Sequence, residues 1–275
     1  MMKKASLLLA ASLAVPAWVL APGYLPEEKK APFLRRNFAH RGLYEEDQSV
    51  PENSMTAFRL ACGAGYGIEM DIQLSKDGRV VVFHDDEINR SCMPNETAPI
   101  RVDSLTWDEL SLLRLFGTDE KIPLFTDVLA EIAGRVPLII ELKTSSRRTE
   151  LCESALSILS TYDGPFCIES FDPRIVAWFR FHAPDIIRGQ LAEQPSMYIT
   201  DEKMSAVGGV FLGNTLGNFA ARPHFIAYHL GPKPGAVRIA ELLGAMKFGW
   251  TSRAPENETG CDAVIFEHYR PEPWF

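Results

Sequence analysis

From about Arg36 onward, short apolar runs alternate with stretches whose apolar residues recur at helical spacing. That pattern marks strand–helix units laid into a parallel sheet. The apolar runs begin at residues 37, 68, 138, 166, 186, 225, 247 and 263. Eight such units predict an α/β fold closed into a (β/α)8 TIM-type barrel. Val80-Val81-Val82-Phe83 reads as the returning strand of a hairpin turned at Asp77-Gly78, a small insertion after the second strand.

Between the strands, Asn53 or Ser54 can cap a helix carrying Met55, Phe58 and Cys62 on one face, closed by Gly63 and Gly65. Thr106-Trp107-Asp108-Glu109 matches a capping box. Asp172-Pro173 can start a helix holding Ile175, Trp178, Phe179 and His182. Between Trp250 and Cys261 there is too little chain for a full helix. The long stretch from Leu191 to Arg222 is apolar and glycine-bearing, which predicts a helix-containing excursion that covers the site, touches lipid or packs on the barrel.

The N-terminus follows a different pattern. After Lys3-Lys4, an apolar run from Ala5 to Ala21 is broken only by Ser6, Ser12 and Pro16. About 17 residues is the short end for a spanning helix, and no clear small-x-small cleavage triplet is present. Residues 1–22 are thus expected to be a membrane anchor or a secretory signal, 23–35 a linker and 36–275 the barrel domain. Lysines ahead of the run favour a cytoplasmic N-terminus. The domain would then be anchored outside the cytoplasm, or secreted if the segment is cleaved.

Composition adds limits. The 275 residues suit one barrel, and 46% apolar residues suffice for its core. A net charge of −8 argues against a nucleic-acid partner, whose footprint is a basic patch. Five cysteines show no ligand spacing, and their odd number does not support a disulfide framework.

The candidate chemistry gathers at strand ends. Alternation puts Glu69, Asp71 and Gln73 on one face of the second strand and Ile68, Met70 and Ile72 on the other. A two-residue turn in the hairpin would set His84 opposite Asp71, and a four-residue turn would set it opposite Glu69. Either register brings His84 to roughly 5 Å from a carboxylate. Glu141 and Lys143 share a face of the next strand, as a buried ion pair or as part of the same site. C-terminal strand ends are where parallel barrels keep their active sites. Three carboxylates converging there would repel one another unless a cation neutralised them. Oxygen donors without a cysteine favour Mg²⁺ or Ca²⁺. His40 and His84 can divide proton transfer between them, and Arg41 and Lys143 carry charge suited to a phosphoryl group. His182 and His224 have no such setting and are taken as structural.

These residues carry a resemblance. His40-Arg41-Gly42, Pro51-Glu52-Asn53-Ser54, Glu69-x-Asp71, Lys76-Asp77-Gly78, Val81-Val82-Phe83-His84-Asp85, Ile122-Pro123-Leu124 and Ile140-Glu141-Leu142-Lys143 resemble, in order, the motifs of the glycerophosphodiester phosphodiesterase family. Ser170-Phe171 and Trp250-Thr251 are similar to its later motifs. The resemblance implies a barrel enzyme that splits glycerophosphodiesters into sn-glycerol 3-phosphate and an alcohol. It implies His40 and His84 as the acid/base pair, and Glu69, Asp71 and Glu141 as holders of one divalent cation, Ca²⁺ or Mg²⁺. It also implies Arg41 and Lys143 against the phosphate, and Trp250 as a further substrate-binding residue. The chain departs from the family at Ser252-Arg253, where Val-Asn is usual, and at Phe266-Glu267, where Thr-Asp is usual. Two other readings remain: a membrane-surface lysophospholipid or sphingolipid lyase forming a cyclic phosphate, and a non-catalytic barrel that binds a ligand.

Overall fold

The computed structural model describes residues 18–200 and 204–275. The expected anchor or signal falls almost wholly on residues 1–17, outside the described residues. No helix among the described residues is long and apolar enough to cross a membrane.

The parallel strands are β1 (Arg36–Ala39), β2 (Gly67–Leu74), β4 (Leu138–Leu142), β5 (Phe166–Ser170), β6 (Ile187–Ala192), β7 (Phe225–His229), β8 (Met246–Ser252) and β9 (Ala263–Phe266). Pairing runs β1-β9-β8-β7-β6-β5-β4-β2 and closes through β1–β2, so the eight form a barrel. β3 (Val80–Val82) is the expected hairpin strand, antiparallel to β2. Among the described residues, six helices of eight residues or more accompany them: α1 (Met55–Ala64), α2 (Phe125–Ile132), α3 (Arg148–Leu159), α4 (Pro173–His182), α5 (Ala206–Gly213) and α6 (Gly235–Leu242). Ser54 caps α1 by accepting from the Ala57 amide, and left-handed Gly65 ends it. Asp172 caps α4 with Pro173 behind it. After β8 only the 3-10 turn Pro255–Glu258 fits, as the short connection requires.

Alternation along the strands divides the core in two. Outward-facing Ile68, Met70, Ile72, Ile140, Leu142 and Ile168 pack with Phe58, Phe125 and Phe179 of the helices. Inward-facing Phe38, Ile139, Cys167, Phe225 and Phe248 fill the barrel floor. The stretch 23–35 is not a free linker. Leu25 and Phe33 are buried against that floor, and Phe33 lies parallel to Phe38 with ring centroids 6.3 Å apart. The open N-terminal end of the barrel leaves apolar surface that this segment covers.

Floor packing leaves no slack at Gly189. A Cβ there would lie 2.0 Å from the Phe225 ring, itself held between β6 and Phe248. Gly189→Ala is expected to lower stability by about 1–3 kcal/mol through overpacking. Chemical denaturation checks it: an unchanged midpoint would contradict the packing described.

Candidate active site

At the C-terminal ends of the strands the inward-facing positions turn polar. Register sets Asp71 beside Glu141 and Glu141 beside Glu169, a row of carboxylates on β2, β4 and β5. Glu69, Asp71 and Glu141 offer oxygens that all lie within 4.8 Å of one another, and all three side chains are buried. Lys143 Nζ lies 3.0 Å from Glu141 and 3.4 Å from Asp71, so it bridges two of them.

The loop after β1 is locked onto this row. Arg41 is left-handed at φ 54°, and its amide donates to Glu69 at 3.0 Å. Asn53 is also left-handed; its amide donates to the Arg41 carbonyl at 2.8 Å and its side chain to Asp71 at 2.9 Å. Non-glycine residues in this region are strained by about 1–3 kcal/mol each and persist where surrounding bonds over-determine them. Glu52 accepts from Arg41 at 2.9 Å and from Arg90 at 2.5 Å, tying this loop to the one after β3.

His84 reaches the cavity by a different route from the one the hairpin predicts. The register pairs Ile72 with Val82 and Leu74 with Val80 around five connecting residues. Continued alternation would set His84 opposite Met70, on the outward face. The ladder stops instead: Phe83 still donates to the Asp71 carbonyl at 3.0 Å, and the chain then leaves the sheet. His84 thereby lines the same cavity as His40, Arg41, Glu69 and Glu141.

His40 and His84 each have a carboxylate on Nδ1 and an arginine on that carboxylate. His40 Nδ1 lies 2.7 Å from Glu267, which accepts from Arg253 at 2.6 Å and from the Tyr44 hydroxyl at 3.0 Å. His84 Nδ1 lies 2.7 Å from Asp85, which accepts from Arg90 at 2.6 Å. The two places where the chain departs from the family pattern, Arg253 and Glu267, are thus bonded to each other. Trp250 lines the cavity, its indole N–H donates to the Ala227 carbonyl at 3.1 Å, and its ring meets Phe171 edge-on at 5.6 Å. His182 stacks on Trp178, and His224 is pushed down to about 3 by burial and then by Arg188. Neither lines the cavity.

Burial and the neighbouring charges of Asp71 and Glu141 push the Glu69 carboxyl well up. Burial raises Glu141 too, against the pull of Lys143. Burial would also raise Asp71, but Lys143, His84, Arg41 and the Asn53 bond override it and hold the group well below the usual range. His40 is lowered by burial and by Arg41, with Glu267 opposing. Burial and mutual repulsion among these carboxylates are what a bound cation would relieve. The donor set, buried and all oxygen, fits Mg²⁺ or Ca²⁺.

The cavity measures about 350 Å³, and a more open groove of about 560 Å³ adjoins it at His84, lined by Asp86, Glu87, Arg90 and Lys143. Sequence reasoning missed Glu169, which is buried on the cavity wall, and the partners Tyr44 and Arg253. The apolar run that begins at residue 166 ends at Ile168, whereas β5 continues to Ser170 and sets Glu169 in register with Glu141.

The chain matches the Glycerophosphoryl diester phosphodiesterase family over residues 40–269. It is 40% identical over 127 residues to the protein YqiK of Bacillus subtilis, across 42% of this chain and 49% of that one. It is 32% identical over 183 residues to a glycerophosphodiester phosphodiesterase of Bacillus altitudinis, across 60% of this chain and 71% of that one. The chain therefore spans about half the length of the first relative and more of the second. Its fold resembles that of an Oleispira antarctica phosphodiesterase solved in complex with the product sn-glycerol-3-phosphate, with a TM-score of 0.66, 22% identity and coverage of 85% of this chain and 93% of that one. Carrying the family's match over most of its length, the chain belongs to the glycerophosphoryl diester phosphodiesterase family, a family of phosphoric diester hydrolases.

Proposed function

We propose that this chain hydrolyses glycerophosphodiesters to sn-glycerol 3-phosphate and an alcohol, using a divalent cation and two histidines. The observation that carries the reading is one cavity lined by His40, His84, Arg41, Glu69 and Glu141. The product held by the Oleispira antarctica protein supports the same substrate class.

Glu69, Asp71 and Glu141 would hold the cation. A bound divalent cation supplies charge neutralisation and Lewis-acid polarisation of a phosphoryl oxygen. Arg41 and Lys143 orient the remaining phosphoryl oxygens and offset their charge. Glu267 accepts the Nδ1 proton of His40, which leaves Nε2 bare toward Glu69, 3.9 Å away. His40 thus takes the proton of the attacking hydroxyl, from water or from the glycerol 2-hydroxyl. His84 stands between the cavity and the open groove, so the alcohol group departs on its side and His84 protonates the leaving oxygen. Trp250 presents its ring to the substrate, since its N–H is already engaged.

His40 must be neutral to accept a proton, and its pKa lies below 6.5. The acid limb of the kcat/KM profile is therefore expected below pH 6.5. Glu267→Gln removes an anion that favours the charged imidazole, so this limb should move further down. The same change is expected to lower kcat by about 10-fold or more through loss of tautomer control, with a smaller effect on KM. A profile that moves upward, or a variant with unchanged kcat, would contradict this positioning.

Exposed Val207, Val210 and Phe211 on α5 favour a second reading, in which a lysolipid reaches the site from a membrane surface. Parallel assays on glycerophosphocholine and lysophosphatidylcholine separate the two. The proposed function expects faster turnover of glycerophosphocholine. Faster turnover of the lysolipid, with a cyclic phosphate as product, would overturn it.

A further inference from the structure

Of the carboxylates that line the cavity, Glu169 has no part in the mechanism above. Glu169 extends from β5 into the cavity, only 1% exposed, and its Oε2 has no hydrogen-bond partner. It lies at the depth of the carboxylate row, beside Glu141. Even so, it is not among the three residues whose oxygens lie within 4.8 Å of one another. Its surroundings differ from theirs as well. Lys143 bridges Asp71 and Glu141 but makes no ion pair with Glu169, and the cavity that Glu169 lines also has Phe171, Leu191, Trp250 and Ile265 in its walls.

A buried carboxyl with an open oxygen in a cavity that is partly apolar asks for a small ligand that offers one hydroxyl and a hydrocarbon edge. The hydroxymethyl arm of glycerol is such a group. A bulky ammonium head group suits the larger space better, the open groove of about 560 Å³ beside His84 against the cavity of about 350 Å³.

We propose that Glu169 is a specificity-determining residue that hydrogen-bonds a glycerol hydroxyl, directing the glycerol half of the substrate into the cavity and the alcohol half into the groove. The assignment rests on the proposed function, but its test does not need turnover. Affinities of sn-glycerol 3-phosphate and of inorganic phosphate are measured by calorimetry on the full chain with Mg²⁺ present. The wild type should bind glycerol 3-phosphate more tightly than phosphate. Glu169→Leu should reduce that preference by about 10-fold or more while leaving phosphate binding within about 3-fold. Glu169→Gln, which keeps a hydrogen-bonding group, should restore part of the preference and guards against a folding defect in the leucine variant.

No preference in the wild type, or equal losses for both ligands, would overturn the proposal. So would a fall in Mg²⁺ affinity in Glu169→Gln, which would make Glu169 a cation ligand. Lack of turnover alongside an intact preference would instead count against the proposed function and leave hydroxyl recognition standing.

Discussion

His40→Gln is expected to lower kcat/KM toward glycerophosphocholine by about 10²–10⁴-fold, the range lost with a general base. Glutamine preserves most of the volume and can still meet Glu267, so the barrel should keep its melting temperature. What disappears is a basic nitrogen facing Glu69. Because the proton is transferred in the transition state and not on binding, the loss should fall on kcat, with KM nearly unchanged. His84→Gln should show a loss that shrinks for substrates with a better leaving group, since an acidic alcohol needs less protonation. His40→Gln should not shrink in that way. Steady-state kinetics on choline and 4-nitrophenol diesters compare them, and the opposite pattern would exchange the two roles.

Removing divalent cations is expected to abolish turnover and also to destabilise the fold. Glu69 and Glu141 are pushed up by burial and by neighbouring charge, so their ionised forms weigh against the native state. A ligand present at 100 times its dissociation constant adds about 2.7 kcal/mol. For a chain of this size that corresponds to a rise in melting temperature of roughly 5–10 °C. Chelator should remove the rise, Mg²⁺ or Ca²⁺ should restore it, and Asp71→Asn should blunt it. The pH dependence has a definite sign. A carboxyl raised in the folded state favours folding below its unfolded pKa and loses that advantage as pH rises through the folded one. The chelated protein should therefore gain from these two groups on mild acidification, while protons compete with the ion in the loaded protein. The gap between the two melting curves should narrow as pH falls. A constant or widening gap in differential scanning calorimetry would count against the carboxylate site.

Much of this site is legible in the sequence because strand alternation is a rigid rule. Parity alone puts Glu69 and Asp71 on one face of their strand and Glu141 and Lys143 on one face of theirs, and the hydrophobic runs give the strand count. Register is less legible. The turn signal at Asp77-Gly78 does not reveal that five residues connect β2 to β3, nor that the ladder stops before His84. Contacts between distant segments are not legible at all. Nothing local marks Glu267 as the partner of His40, 227 positions away, or shows that Arg253 answers the longer glutamate. Phe33 was hidden for a related reason: its charged neighbours Glu27-Glu28-Lys29-Lys30 look like a spacer, whereas its burial depends on a barrel end formed by the rest of the chain.

The central claim is that the cavity of His40, His84 and the three carboxylates cleaves a glycerophosphodiester on the alcohol side of phosphorus with the help of a cation. Phosphorus-31 NMR of the full chain with glycerophosphocholine and Mg²⁺ or Ca²⁺ tests it most directly. The account predicts conversion of the diester signal to that of sn-glycerol 3-phosphate, with choline released and the conversion halted by chelator. Release of phosphocholine and glycerol, or a diester signal that persists with cations supplied, would contradict it.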